Sequence, residues 1–163
     1  MTTKEIIIEV AGNLFMEKGF QATSTREIAE IAQITQPNLY HHFKTKEDIY
    51  IAVLEKLAAE VKIGLEVITL ENDATLVESL SNVLNYLREK HPANFSIMSH
   101  DMTYEISKEN NYYLYQIWQS SYLSPIEKLF EKYKKEDVLF TSEELARYFY
   151  SAIAPFIQKD NDF

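Results

Sequence analysis

Apolar residues recur at helical spacing along almost the whole chain, and polar breaks separate the runs. Ile7, Val10, Ala11, Leu14 and Phe15 form one stripe at intervals of three and four residues. Thr2 with Glu5 predicts a capping box at its start, and Gly19 after Lys18 predicts its end as a C′ residue. Phe20 then plugs the core. A second helix begins at Ser24, with Glu27 three residues on as a further capping box, and carries a narrow face of Ile28, Ala29 and Ala32. Ile34 and Thr35 interrupt it. Thr35 caps a third, very short helix with Gln36 and Pro37 in its first turn, where the missing proline N–H costs nothing. Leu39 and Phe43 point inward, and Gln36, Asn38, Tyr40 and His42 cannot share that face.

The remaining elements are longer. Thr45 with Asp48 caps a fourth helix, whose Ile49, Ala52, Val53, Leu57, Val61 and Leu65 keep period through Leu65–Leu70. Glu71-Asn72-Asp73 is a polar break. Thr75 with Glu78 caps a fifth helix that stops at Lys90-His91-Pro92. Ala93 to Ser107 reads as a short irregular helix. From Lys108 the chain turns aromatic, and Ser124-Pro125 is expected to kink or break it. Thr141 with Glu144 caps the last clear helix, with Pro155 near its end, and the polar tail Gln158–Phe163 is expected to fray.

Composition agrees with an all-α chain. Three Gly and four Pro in 163 residues argue against an all-β or disordered protein, and 46% hydrophobic residues suffice for a core. With no cysteine there is no disulfide or thiol chemistry. Ile6-Ile7-Ile8 is too short and too closely flanked by Glu5 and Glu9 for a signal peptide, and no run is long enough to cross a membrane. A soluble cytoplasmic protein is expected. The net charge of −9 speaks against a basic nucleic-acid-binding field. Yet residues 1–50 hold five Lys/Arg against seven Asp/Glu, and the rest hold eleven against eighteen. Any nucleic-acid affinity would therefore rely on a few placed contacts rather than on a basic field.

Two short helices across a tight break, Ser24 to Lys46, describe a helix-turn-helix, whose second helix enters the DNA major groove. Several pieces occur together here: Lys18-Gly19-Phe20, Ala22-Thr23-Ser24, Ile28-Ala29, Ile34-Thr35, Leu39-Tyr40-His41-His42-Phe43 and Lys46-Glu47-Asp48-Ile49. From Ile7 to about Leu54 the chain resembles the DNA-binding domain of the TetR (tetracycline-repressor-like) family of bacterial transcription regulators. Gln33 stands where that family usually has glycine in the turn, which predicts a positive φ there at some cost or a different path.

The resemblance implies a three-helix DNA-binding domain over residues 1–46 and a helical effector-binding and dimerisation domain over 47–163. It places DNA contacts at Thr25, Arg26, Gln36, Pro37, Asn38, Tyr40, His42 and Lys46. Their chemistry agrees: Gln36 and Asn38 can pair bidentately with adenine, and Pro37 can meet a thymine methyl. Tyr40 and His42 can bond phosphates, and Lys46 adds charge at a helix N-terminus. His41-His42 is a poor metal pair, because neighbours on a helix diverge and no third ligand is near. No metal or cofactor is expected.

An aromatic-rich second part suggests a pocket for a small hydrophobic or cationic ligand, with Tyr86, Phe95, Met98, Met102, Tyr104, Tyr115, Trp118 and Tyr122 as lining candidates. His100, Asp101 and Glu105 could orient or neutralise it. The family usually dimerises through two C-terminal helices, and the chain is expected to stop after the first. Leu145, Tyr148, Phe149, Ala152, Ile153 and Phe156 give that helix a face wide enough for a dimer surface, the bland alternative being burial against the preceding helix. No Gly-rich phosphate loop, Ser/His/Asp order or metal-ligand spacing supports an enzyme. The expected function is that of a homodimeric repressor, released from a palindromic operator by a ligand. The alternative is a nucleoid-associated or protein-interaction module with no small-molecule effector.

Overall fold

A computed structural model describes residues 1–71, 73–91 and 95–157. The Pro92 stop and the tail Gln158–Phe163 lie outside them. Every regular element among the described residues is helical: α1 (Thr3–Ala22), α2 (Thr25–Ile31), α3 (Gln36–His42), α4 (Lys46–Thr69), α5 (Leu76–Lys90), α6 (Phe95–Tyr104), α7 (Lys108–Trp118), α8 (Ser124–Tyr133) and α9 (Ser142–Ile157).

The caps explain most of the starts. Thr2–Glu5 and Thr75–Glu78 are reciprocal capping boxes. Thr45 with Asp48 and Thr141 with Glu144 exchange the same pairs of bonds. Ser24 departs from expectation. Its hydroxyl accepts from the Glu27 N–H at 3.1 Å, but the Glu27 carboxylate turns away to Lys18 Nζ at 2.6 Å, tying α2 to α1. Gly19 also differs from a simple C′ residue. Its φ of 85° and ψ of 172° lie in the mirror-image extended region, essentially reserved for glycine, and the chain makes a further turn to Ala22 beyond this kink.

Pro125 does not break the chain. α7 runs into a π-helical turn, Gln119–Leu123, and α8 follows with Pro125 in its first turn. The Ser124 N–H donates to the Gln119 carbonyl five residues back. The wider turn makes room for the proline ring, which has no N–H to donate.

The helices form two compact units. One is Met1–Leu57 with Asn94–Leu114, and the other is Ala58–Ala93 with Tyr115–Phe163. The division falls inside α4 and α7. In the first unit Ile7, Phe15, Ile28, Leu39, Ile49 and Tyr50 are buried. Phe15, Phe20 and Tyr50 form an aromatic triplet with centroid separations of 5.0–5.9 Å. Tyr50 is fully buried, one position off the expected α4 stripe. In the second unit Val83, Leu87, Leu123, Ile126 and Leu129 are buried, and α8 packs on α9 with α5 against both. The Tyr86 ring lies directly over Gly64 and donates its hydroxyl to the Glu60 carbonyl at 3.1 Å.

Candidate DNA-binding surface

The turn between α2 and α3 is a Schellman motif. The Ile34 N–H reaches the Ala29 carbonyl at 2.9 Å and the Gln33 N–H reaches Glu30 at 3.1 Å. That geometry requires a left-handed residue between them, and Gln33 supplies it with φ 56°. Of the two paths open to a non-glycine residue here, the chain takes the strained one, at about 1–2 kcal/mol.

After the turn, the Thr35 hydroxyl accepts from the Asn38 N–H at 3.3 Å and starts α3. Leu39 is fully buried and Phe43 is 6% exposed, so α3 is held by two apolar anchors on one side. Gln36, Pro37, Asn38 and Tyr40 are exposed on the rest of its surface, and His42 is half-buried. Arg26 is exposed at the start of α2. Three of the expected contact residues come together: the Thr25 and Tyr40 hydroxyls lie 3.0 Å apart, and Gln36 Nε2 reaches Thr25 Oγ1 at 3.5 Å. This small polar tie spans the two helices and orients the first residue of α3. A group that reads a base edge must arrive with its rotamer restricted, and the tie restricts Gln36 and Tyr40.

Lys46 is engaged differently from a free phosphate ligand. Its ammonium donates to the Phe20 carbonyl at 2.8 Å and the Thr23 carbonyl at 3.1 Å. It also sits 4.1 Å from the centroid of the Phe20 ring. Desolvation lowers its pKa, and Glu105 and Asp101 work against that lowering. Sequence reasoning placed Lys46 on the solvent side because it opens a helix. Periodicity carries no signal of the carbonyls folded against it.

The expected effector residues are not gathered in either unit. Met98, Met102 and Tyr104 belong to the first, with Met98 buried and Tyr104 73% exposed. Tyr86, Tyr115, Trp118 and Tyr122 belong to the second. The Phe95 side chain lies outside the described residues. Tyr122 is buried, and Tyr115 accepts from Arg147 Nη2 at 2.9 Å. Arg147 itself stands 5.9 Å over the Trp118 ring, where a ligand cation would otherwise sit. A depression of about 410 Å³ in the first unit is lined by Lys18, Gly19, Gln21, Ala22, Ile97, His100, Asp101 and Glu105. It uses the three polar residues expected to orient a ligand and none of the eight lining candidates. On α9, Tyr148, Ala152 and Phe156 are exposed four residues apart, Leu145 and Phe149 are half-buried, and Ile153 is buried within the chain itself.

With this geometry established, comparison with known proteins bears first on the N-terminal helices. Residues 7–53 match the family described as bacterial regulatory proteins, tetR family. The match runs from α1 through α3 to the start of α4, under a third of the chain. Over 54 residues the chain is 43% identical to the HTH-type transcriptional regulator QacR of Staphylococcus aureus, covering 33% of this chain and 29% of that protein. It is 27% identical over 107 residues to the HTH-type transcriptional activator FasR of Mycolicibacterium smegmatis, covering 65% of this chain and 45% of FasR. The matched stretches thus span well under two thirds of these relatives. Beyond the matched residues the likeness is one of fold. The fatty acid degradation regulator FadR from Bacillus halodurans superposes with a TM-score of 0.77 at 15% identity, over 100% of this chain and 88% of FadR. AibR in complex with isovaleryl coenzyme A and operator DNA gives 0.72 at 19% identity, over 99% of this chain and 91% of AibR. The fold of the whole chain is therefore the all-helical one of these regulators. No helix among the described residues is long and apolar enough to cross a membrane.

Proposed function

We propose that this chain is a cytoplasmic, homodimeric transcriptional repressor that leaves its operator when a small hydrophobic or cationic ligand binds. The observation that carries the reading is the exposed N-terminal face of α3, with Gln36 and Tyr40 both tied to Thr25, inside a segment that matches the tetR family. Each protomer presents Gln36, Pro37 and Asn38 to one half-site, and the half-site spacing matches that of the two α3 helices. Arg26, Tyr40 and His42 bond flanking phosphates, and Lys46 holds the start of α2 in place. The functional division falls at residues 46/47, with effector binding and dimerisation in the remainder. Tyr148, Ala152 and Phe156 supply the exposed part of the dimer surface. The helical likeness to AibR, which binds isovaleryl coenzyme A and operator DNA, supports a ligand-responsive second part. A ligand that releases DNA about 100-fold needs only about 2.7 kcal/mol of coupling between its site and the operator.

The test is selection of duplex DNA from a random pool by the wild-type protein, followed by binding of two variants to the best sequence. Gln36→Ala is expected to relax preference at one base position per half-site, at about 1–3 kcal/mol. Arg26→Ala is expected to weaken all sequences alike and to flatten the salt dependence by about one unit of slope. Failure of the wild-type protein to enrich any sequence would overturn the assignment. On the ligand side, hydrophobic and cationic compounds that raise the melting midpoint should also release the selected DNA. A compound that stabilises the protein and leaves the DNA bound counts against release by that class.

A further inference from the structure

The four-residue connection between Gly19 and Ser24 is held by side chains from far along the chain. The mirror-image extended conformation of Gly19 turns the chain out of α1, so the Phe20 N–H no longer points at a helical carbonyl. Asp101, on α6, takes that N–H at 2.8 Å through Oδ2, 81 residues away in sequence. Asp101 is itself 4% exposed. On the other side of the same peptide run, Lys46 of α4 donates to the Phe20 and Thr23 carbonyls at 2.8 and 3.1 Å. The Gln21 side chain bonds Glu105, also on α6, and the Thr23 hydroxyl closes onto the Gly19 carbonyl at 2.8 Å. The connection is thus gripped at its N–H by an anion and at its carbonyls by a cation. Its far end is Ser24, the cap of α2, and the next residue is Thr25, which meets Tyr40 and Gln36.

We propose that Asp101 is a positioning residue for DNA binding, acting from α6 through the Phe20 amide to fix Thr25 and, through it, Gln36 and Tyr40. The inference rests on the DNA-binding reading above. Asp101 lies outside the segment that matches the tetR family and has no part in the exposed face of α3. Electrostatics alone points the other way: removing a carboxylate from the DNA-binding unit of a chain with net charge −9 favours a polyanion. A loss of affinity on neutralising Asp101 is therefore a positional effect.

The experiment compares Asp101→Leu, which has no acceptor, with Asp101→Asn, which keeps one. The probe is the duplex that the wild-type protein selects from a random pool. Affinity is read well below each variant's melting midpoint, together with amide hydrogen exchange at Phe20 and Thr25 and the salt slope. Asp101→Leu is expected to bind about tenfold more weakly, equivalent to about 1.4 kcal/mol. Its salt slope should be unchanged, since no phosphate contact is lost, and exchange at both amides should be faster. Asp101→Asn should recover most of the affinity. A purely structural role would lower the melting midpoint and leave affinity unchanged wherever the protein is folded. Wild-type affinity in Asp101→Leu, or in Asp101→Ala should the leucine variant not fold, together with faster exchange at Phe20 would overturn the proposal while leaving DNA binding itself intact. If the wild-type protein selects no DNA, the function fails and this role fails with it.

Discussion

Two glycines in α1 allow the same substitution to be tested with opposite expected signs. At Gly12 an added Cβ would meet the Val53 side chain at 3.4 Å, which is ordinary packing distance, and the residue sits inside a regular helix. Gly12→Ala should therefore gain about 1 kcal/mol from helix propensity and reduced freedom of the unfolded chain. At Gly19 the backbone has φ 85° and ψ 172°, a region that an L side chain occupies only at about 1–3 kcal/mol. The new Cβ would also lie 3.1 Å from Ile97 Cγ2 and 3.5 Å from Asp101 Oδ1, so α6 must give way by a few tenths of an ångström. A net loss of about 2 kcal/mol is expected for Gly19→Ala after its smaller unfolded-state gain. For a chain of this size that lowers the melting midpoint by about 4–8 °C, whereas Gly12→Ala raises it by about 2–4 °C. Circular dichroism at 222 nm is a sufficient readout for an all-helical protein. If Gly19→Ala melts at or above the wild-type midpoint, the kink is not a glycine-only conformation. If both variants lose stability equally, crowding in α1 rather than backbone conformation is the cause.

Two further expectations concern strain and pH. Gln33→Gly removes the left-handed penalty of the Schellman turn and should stabilise the protein by about 0.5–1 kcal/mol in urea unfolding, while Gln33→Val should destabilise it, since a β-branched residue is a genuine outlier at φ 56°. Burial lowers the His91 pKa from 6.5 to about 4, so the folded chain keeps the ring neutral while the unfolded chain protonates it. The unfolded state then binds more protons below pH 6.5, and this contribution to stability is complete above that value and lost as pH falls towards 4. The difference between pH 8 and pH 5 is on the order of 2 kcal/mol. His91→Gln should flatten that part of the stability profile, and an unchanged profile would refute the burial argument.

Much of this protein is local in origin, and the sequence by itself determined those parts. The caps at Thr2, Thr45, Thr75 and Thr141 are three-residue contacts, so their chemistry is legible from neighbours in the chain. The α3 anchors Leu39 and Phe43 follow from helical spacing, and the sequence narrowed Gln33 to two paths, of which the structure takes the left-handed one. Tertiary structure decided what depends on distant partners. Glu27 left its expected box because Lys18 was within reach, and Lys46 turned inward because the fold set the Phe20 and Thr23 carbonyls within reach of its ammonium. The aromatic residues of the second half separated between two units because similar apolar character at each position says nothing about which neighbour it meets. Asp101 reads locally as one polar residue in a short helix. Only the fold brings it to an amide 81 residues earlier, where a buried donor without a helical acceptor requires one.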